Sequence, residues 1–568
     1  MMGGEQAFTL QSDVLGALPL INHFLSRLQV SQLLERFVPH DDARLALAPA
    51  AVFGVLVRNL VIHKEPVYAL SEWVSRYDPA VLGIGSDDIG MINDDRIGRM
   101  LERLFDADRA SLLTALTLGA INEFAIDCSQ LHNDSTSITL SGIYQSGDGR
   151  ARGGRPTAAI TWGHNKDHRP DLKQLLWILT VSKDGAVPIA YRVADGNTAD
   201  DVTHIPTWDG LVTLTGETSF LYVADKKLCS SEAMGYIASH GGRFLTVLPR
   251  SRKEDSFFRA WVQDHTPAWE EVARHPGKRI GDPEQVWRAV PSPIPSAEDY
   301  RIVWVWSSAK ARQDHASRQG RIEAGIKALE ELAGRVSGPK SRFHSRVAVE
   351  EAAAAKLSGG GAERWVGFEV TETIEDSFRQ ERRGRPGAKT RYRKTTCARF
   401  SITWKVSGDA VAYDARSDGC FPLITNDEAM TPAELLAAYK YQPNLEKRHA
   451  QLKGTQLVGE MFLKSPARIE GLLFCHFIAL LTQALIEREI RAAMAAEQRK
   501  SLMLYPEDRA CAAPTAARVV EIFSDVARHS LLQGGRLVQV FEPTLTPLQL
   551  EVLGLLGIAP SAYSAAAA

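Results

Sequence analysis

The chain has 568 residues, 45% hydrophobic and 24% charged, with a formal net charge of −2. That length exceeds what one hydrophobic core can organise and calls for three or four domains, while the composition excludes a disordered chain. A near-neutral balance argues against a globally basic nucleic-acid footprint, so any such contact has to come from local patches.

Residues 1–125 are helical in pattern. INHFLSRLQVSQLLERF and AAVFGVLVRNLVIH repeat apolar side chains at helical spacing, and INDDRIGRMLERLFDADRASLLTALTLGAINEF continues the pattern with Asn93 or Asp94 as its cap. The region reads either as a bundle packed on the rest of the chain or as a DNA-binding module containing a helix-turn-helix. From Asp127 the pattern turns to strands: the run around Asp134, then LLWILTVS, then VPIAYRVADG. A helix near Asp201 to Leu214 follows, then an apolar strand ending at Asp225, a further helix and RFLTVLP. Residues 126–250 thus form the first part of an α/β domain. Residues 251–420 read as a large α+β insertion, with a long helix from Ser308 to Arg335, an Ala-rich helix near Val347 to Leu357, a Gly359 to Gly361 break, and strands around WVGFEV and ARFSITWKV. Residues 421–500 complete the α/β domain, and residues 501–568 read as a helical C-terminal region.

Six cysteines without a CxxC pair exclude a zinc ribbon and a stapled secreted domain, and they fit free thiols in a reducing cytoplasm. The polar start lacks a basic stretch ahead of an apolar one, so a cytoplasmic location is expected. GLLFCHFIALLTQALI, residues 471–486, is short for a membrane span and reads as a buried helix. Walker A, GxGxxG, HExxH and GxSxG patterns are absent, which removes the usual supports for nucleotide hydrolysis, dinucleotide redox, zincin and serine-hydrolase chemistry.

The segment YKYQPNLEKRHAQLK, residues 439–453, sets Tyr439, Gln442, Glu446 and Lys453 at spacings that place all four on one arc of a single helix. Asp134 and Asp225 close extended runs, and carboxylates at strand ends sit where α/β sheets bind ligands and metals. Two aspartates and a helical glutamate suit a pair of divalent ions acting on a phosphodiester, Mg²⁺ or Mn²⁺ being the hard ions that prefer oxygen ligands. The stretch from Arg379 to Lys394, RQERRGRPGAKTRYRK, holds one acid and reads either as a solvated loop or as a DNA-tracking loop through Arg382, Arg383 and Arg385. His164, Asp167, His168 and Asp171 have metal-like spacing. Pro170 disfavours helix at Arg169, so they read instead as a polar loop that brings Lys166 or Arg169 near phosphate. His132 reads as a structural residue or a general base, and Asn197 as a turn residue.

On these residues the sequence resembles the DDE transposases of bacterial insertion sequences, within the insertion-sequence-four group marked by a Tyr, Arg, Glu, Lys signature. Tyr439, Glu446 and Lys453 match that signature, while Gln442 stands where the group has arginine; the similarity continues through residues 163–201 and through FPLITND. The resemblance implies a ribonuclease-H-like catalytic core and Asp134, Asp225 and Glu446 as catalytic ligands of two Mg²⁺ or Mn²⁺ ions. It also implies DNA-phosphate contacts from Tyr439, Gln442 and Lys453, double-stranded DNA as partner in the form of terminal inverted repeats and target, and a homodimer on paired ends without any membrane. The implied activity is metal-dependent cleavage at insertion-sequence ends followed by strand transfer. The alternatives are a transposase-derived DNA-binding protein without activity and a nuclease of the same fold. In that group an aromatic residue of the insertion receives a flipped base, a role open to Trp365 or Trp404 beside a core role.

Overall fold

Apolar runs that follow Asp127 become strands of a mixed sheet. The structure, a computed structural model, describes residues 8–39, 47–62, 65–277, 281–338, 341–456, 458, 461–507 and 509–564. The chain divides into two units, Met1–Thr246 with Ala437–Ala568, and Val247–Leu436. In the first unit, β1 (Phe8–Val14) precedes a set of helices, and then come β2 (Gln130–Leu140), β3 (Lys173–Ser182), β4 (Pro188–Asp195), β5 (Leu221–Ala224) and β6 (Arg243–Val247). The last five lie side by side in the order β4-β3-β2-β5-β6. β2, β3 and β4 are antiparallel neighbours, whereas β5 pairs parallel with β2 and β6 parallel with β5. Parallel steps need crossovers, and the helices His204–Thr215 and Ser231–Ser239 supply them. β3 is buried from Gln174 to Ser182, which is why its sequence is a continuous apolar run rather than an alternation.

The helix Pro466–Ala496 is the structural centre of this unit. Among the described residues it alone is long and apolar enough to cross a membrane, and its most apolar stretch is wholly buried inside the chain. Tyr191 on β4 stacks between Trp177 and Phe477, with ring centroids 4.6 and 4.8 Å away, so the helix lies directly on the sheet. N-terminal helices close over it: Asp94–Asp106 is capped by Asn93, whose Oδ1 accepts from the Arg96 N–H at 2.9 Å, and buries Ile97, Met100, Leu101 and Leu104. Arg468 and Glu102 pair at 2.9 Å across the contact.

In the second unit, β7 (Glu270–His275), β8 (Gln285–Pro291), β9 (Arg301–Ser307) and later β12 (Cys420–Thr425) form an antiparallel set in the order β7-β8-β9-β12. Between β9 and β12 run the helices Ser308–Ser337 and Arg346–Gly360 and a hairpin of two fifteen-residue strands, β10 (Val366–Gln380) and β11 (Tyr392–Val406). Gly361 ends the second helix at φ +62°, the left-handed cap that the glycine run supplies. Leu329, Val349, Leu357, Val370, Phe400 and Ile402 form a core of their own, with Trp365 and Trp404 packed against it. The Trp365 indole N–H donates to Asp414 at 2.7 Å, which gives that side chain a structural partner.

The C-terminal region departs from its helical expectation. β13 (Ala527–Gln533) and β14 (Arg536–Phe541) form a hairpin, and β13 pairs antiparallel with β1, so the N-terminal region is not wholly helical either. Gly534 and Gly535, at φ +57° and +81°, supply the two left-handed residues that a tight hairpin turn requires. Helices Ala516–Glu521 and Pro547–Leu555 flank this small sheet in the chain.

Candidate active site

Register places two of the acids next to each other. β2 and β5 pair in parallel from Gln130↔Leu221 to Asn133↔Ala224, where β5 stops. Asp134 and Asp225 are therefore the next residues on adjacent strands, which run about 4.8 Å apart. Asp225 sits at a strand end as expected, whereas Asp134 lies in the middle of β2, because β2 continues along β3 to Leu140 after its parallel partner has ended. Both acids are held. The Asp225 side chain accepts from the Lys227 N–H at 2.9 Å, its carbonyl accepts from Thr246 Oγ1 at 2.6 Å, and Asp134 Oδ1 accepts from the Ser135 N–H at 2.8 Å.

Glu446 arrives from the other side. The signature residues do not share one helix: Tyr439 lies in the last turn of the helix Pro432–Lys440, Gln442 and Glu446 lie on Gln442–Ala450, and Lys453 lies on a π-helical turn, Gln451–Thr455. Pro443 explains the first break, since it has no N–H for the Tyr439 carbonyl, and tighter bonds from Tyr441 N to Ala438 O (3.2 Å) and Asn444 N to Tyr441 O (2.9 Å) bridge the gap. Gln442, Glu446 and His449 fall on the helix face turned to β2. His449 Nδ1 lies 3.8 Å from Asp134 Oδ2. Glu446 itself is exposed. The Tyr439 phenol is pushed up by burial and by the negative charges of Asp225 and Glu446.

Gln442 does not face solvent. Its Oε1 lies 2.9 Å from His132 Nδ1 and its Nε2 donates to the Asn133 carbonyl at 3.2 Å, so it fastens the helix to β2 beside Asp134. This corrects the expected DNA contact: a neutral amide satisfies both partners in a buried position, where an arginine would carry an uncompensated charge. Burial holds His132 near pKa 4, offset by that bond, and both ring nitrogens are engaged, Nδ1 by Gln442 and Nε2 by Gln130 at 2.7 Å, so it serves as a structural residue. Arg448, on the opposite helix face, is buried against Glu487 at 2.8 Å and donates to the Ala186 and Gly185 carbonyls at 2.9 Å each. The active-site helix is thereby anchored to the core helix.

A loop brings a cation to the aspartates. Lys166 Nζ donates to the Ser135 carbonyl at 2.6 Å and Ser135 Oγ at 2.8 Å, and lies 3.3 Å from Asp200 and 3.8 Å from Asp134. The loop reaches this position because Gly163 and Gly196 touch. A Cβ on Gly163 would meet the Gly196 carbonyl at 2.0 Å, and one on Gly196 would meet the Gln174 carbonyl at 2.1 Å. Asp200, which sequence reasoning missed, accepts from Ser135 Oγ at 2.5 Å and adds a fourth carboxylate. Asn197 lies in the turn after β4, as expected. Lys453 donates to Asp167 at 2.6 Å, and Arg169 makes a bidentate pair with Asp171 at 2.9 and 2.7 Å, exposed to solvent. His168 has φ +57°, so the segment is not helical and its two histidines do not share a face. Arg382, Arg383 and Arg385 stand exposed at the tip of the β10-β11 hairpin in the second unit, distinct from this cluster in the chain's division.

The electrostatics follow from crowding. Asp134 is raised to about pKa 6, chiefly by burial; Lys166 and the Ser135 N–H oppose the rise, and Asp225 and Asp200 add to it. His449 is lowered to about 3 by burial and by the charges of Lys166 and Lys453, so it is neutral, and its Nε2 is buried without a hydrogen-bond partner. Asp134 and Asp200 share Lys166, and Asp225 is close enough to raise Asp134; carboxylate oxygens of this kind are the donors a hard divalent cation prefers. Among the described residues, no three His, Cys, Asp or Glu side chains converge closely enough to hold an ion as they stand. Register thus sets Asp134 beside Asp225, and Glu446 lies three residues before His449, whose Nδ1 is 3.8 Å from Asp134 Oδ2.

Residues 10–118, the helical stretch ahead of β2, match a family model described as a domain of unknown function (DUF4277). No curated protein matches the chain. Among solved structures, the chain is similar to a piggyBac transposase synaptic complex with hairpin DNA determined by cryo-electron microscopy. The identity is 8% and the TM-score 0.38, over 89% of this chain and 79% of that one.

Proposed function

We propose that the chain is a DNA transposase with a ribonuclease-H-like core, acting on duplex DNA through Asp134, Asp225 and Glu446. The observation that carries this reading is the register of β2 and β5, which sets two carboxylates side by side at the end of a parallel strand pair, with the Glu446 helix fastened across them by Gln442. The strand order β4-β3-β2-β5-β6, with two antiparallel steps followed by two parallel ones, supports the ribonuclease-H-like assignment.

Asp134 and Asp225 would hold a divalent ion between them, and Glu446, exposed and free to rotate, would complete the oxygen shell from the helix side. Ions bound there supply charge stabilisation at the scissile phosphodiester and acidify the attacking hydroxyl group. The protein's own part is positioning. Ser135 holds the Asp134 carboxylate and Thr246 the Asp225 carbonyl, Gln442 and Arg448 fix the helix, and Lys453 and Lys166 would offer ammonium groups to phosphate oxygens once these displace Asp167 and Asp200. Tyr439, whose phenol feels the charges of Asp225 and Glu446, would donate its hydroxyl to the same phosphate. Water would open the DNA at the element's end, and the freed 3′-hydroxyl would attack the target phosphodiester, with two copies holding paired ends. Incubating the protein with Mg²⁺ and the DNA that flanks its own gene tests the proposal. Joined products support it, cut but unjoined products leave a nuclease, and a shifted band alone overturns the enzymatic reading.

A further inference from the structure

The β10-β11 hairpin carries more structure than its own unit uses. Its inner third packs on the long helices through Val366, Val370, Phe400 and Ile402, but every residue from Thr371 to Arg379 and from Arg391 to Arg399 is exposed. At about 3.4 Å per residue, the paired part projects roughly 30 Å. Isolated two-stranded ribbons are marginal in water, so an arm of this length is a feature that needs a partner.

Its charge identifies that partner. Between Arg379 and Lys394 stand eight cationic side chains and one carboxylate, Glu381, in a chain whose net charge is −2. Lys394 is paired with Asp376 and, nearer the base, Arg399 with Glu375, yet Arg379, Arg382, Arg383, Arg385, Arg391 and Arg393 make no ion pair among the described residues. Arg379 and Arg393 stand directly opposite each other in the ladder, a like-charge pair that costs stability unless an anion lies between them. The same ribbon face continues inward with Thr371, Thr373, Ser377, Thr395 and Ser401, short hydroxyl side chains that hydrogen-bond without bulk, and with the Glu375–Arg399 ion pair, whose charges neutralise each other. The opposite face presents Ile374, Phe378 and Tyr392.

We propose that this arm is a DNA-engaging ribbon that lies in the major groove of duplex DNA, its hydroxyl face toward the base edges and its arginine tip on the flanking phosphates. A two-stranded ribbon fits the roughly 12 Å major groove and not the roughly 6 Å minor groove, and an arm of roughly 30 Å spans about one helical turn. The inference deepens the transposase reading and rests on it for the partner, but its test does not depend on catalysis.

The experiment measures binding of full-length protein to a labelled 30-base-pair duplex in EDTA, by fluorescence anisotropy, across a KCl series. Each phosphate contact contributes about 0.9 to the slope of log affinity against log salt. Replacing Arg379, Arg382, Arg383, Arg385, Arg391 and Arg393 with Gln should lower that slope by about 5. A control variant, K327Q with R335Q on the exposed face of the long helix, should leave it unchanged. Alkylating Cys397, the one exposed thiol in the chain and a member of the hydroxyl face, should weaken binding at least fivefold in otherwise unmodified protein. A slope unaltered by the six substitutions would overturn the proposal. So would sedimentation showing that the substitutions split a dimer while the slope stays the same, which would assign the arm to a second copy of the chain. Loss of the slope change together with intact Mg²⁺-dependent cutting sinks the arm alone; an intact slope change without cutting sinks the catalytic reading alone.

Discussion

Asp134→Asn removes the charge that the first unit tolerates worst, so it should stabilise the protein while ending its chemistry. A carboxyl raised from 3.8 to about 6 carries, at 1.36 kcal/mol per pH unit, an ionisation penalty of about 3 kcal/mol at neutral pH. The side chain is 24% exposed, too little for solvent to screen most of that away. Asparagine keeps the oxygen that accepts from the Ser135 N–H and loses only the distant attraction to Lys166. Because the folded pKa of this acid lies above its unfolded value, the penalty is fully present above pH 6, fades between pH 6 and 4, and is absent below. The variant should therefore exceed the wild type by 2 to 3 kcal/mol at pH 7.5 in EDTA, about two pKa units of linkage, and the two should converge near pH 4. Urea unfolding at pH 7.5, 6 and 4.5 measures this directly. Added Mg²⁺ should narrow the gap at pH 7.5, since the ion stabilises only the protein that binds it. A variant no more stable than wild type at pH 7.5, or an advantage that persists unchanged at pH 4.5, would refute the reasoning.

Cutting the helix anchor should act in the opposite direction: Glu487→Ala leaves Arg448 buried beside two carbonyls and should cost about 3 to 5 kcal/mol in the same denaturation assay. Gln442→Ala should cost about 1 to 3 kcal/mol through the lost His132 and Asn133 bonds yet leave affinity for duplex DNA in EDTA within twofold, an outcome a direct phosphate contact would not give. Gly196→Ala drives a methyl into the Gln174 carbonyl and should displace the Lys166 loop, visible as increased amide hydrogen exchange across residues 161–168 with β2 still protected. Lys453→Ala frees Asp167 and removes one ammonium from the phosphate path. It should reduce Mg²⁺-dependent cleavage at least tenfold while shifting the unfolding midpoint by less than a degree or two, because an exposed ion pair stabilises little.

Much of the first unit was legible because burial on both faces writes a strand as an apolar run. LLWILTVS and Phe220 to Ala224 became β3 and β5 within a residue or two, and the acid at the end of β5 was visible with them. Chain contacts that join distant segments left no such trace. Asp200 matters only because the turn after β4 folds back on Ser135, and a run of polar residues says nothing of that. His449 stands three residues after Glu446 on the same helix face, a spacing that was readable, but its contact with Asp134 depends on where Gln442 pins the helix. Pro443 announced the helix break in plain chemistry, and the signature spacing concealed it. In the C-terminal region the alternation around Gly534 and Gly535 carried the hairpin signal, obscured by its leucines, while the pairing of β13 with the far N-terminus had no local signature at all. The basic stretch from Arg379 to Lys394 looked like an open loop, yet its ends are strand and only residues 381–391 turn, because β10 and β11 continue their ladder to Gln380↔Tyr392.

The central claim is that Asp134, Asp225 and Glu446 act together on a phosphodiester with divalent metal. Incubating wild-type protein and the alanine variant of each acid with Mg²⁺ and the gene's own flanking DNA, and resolving the products on a denaturing gel, tests it most directly. The account predicts cut and joined strands from the wild type, none in EDTA, and none from any of the three variants although each still shifts the DNA. Metal-dependent strand transfer that survives unchanged in Glu446→Ala would contradict it.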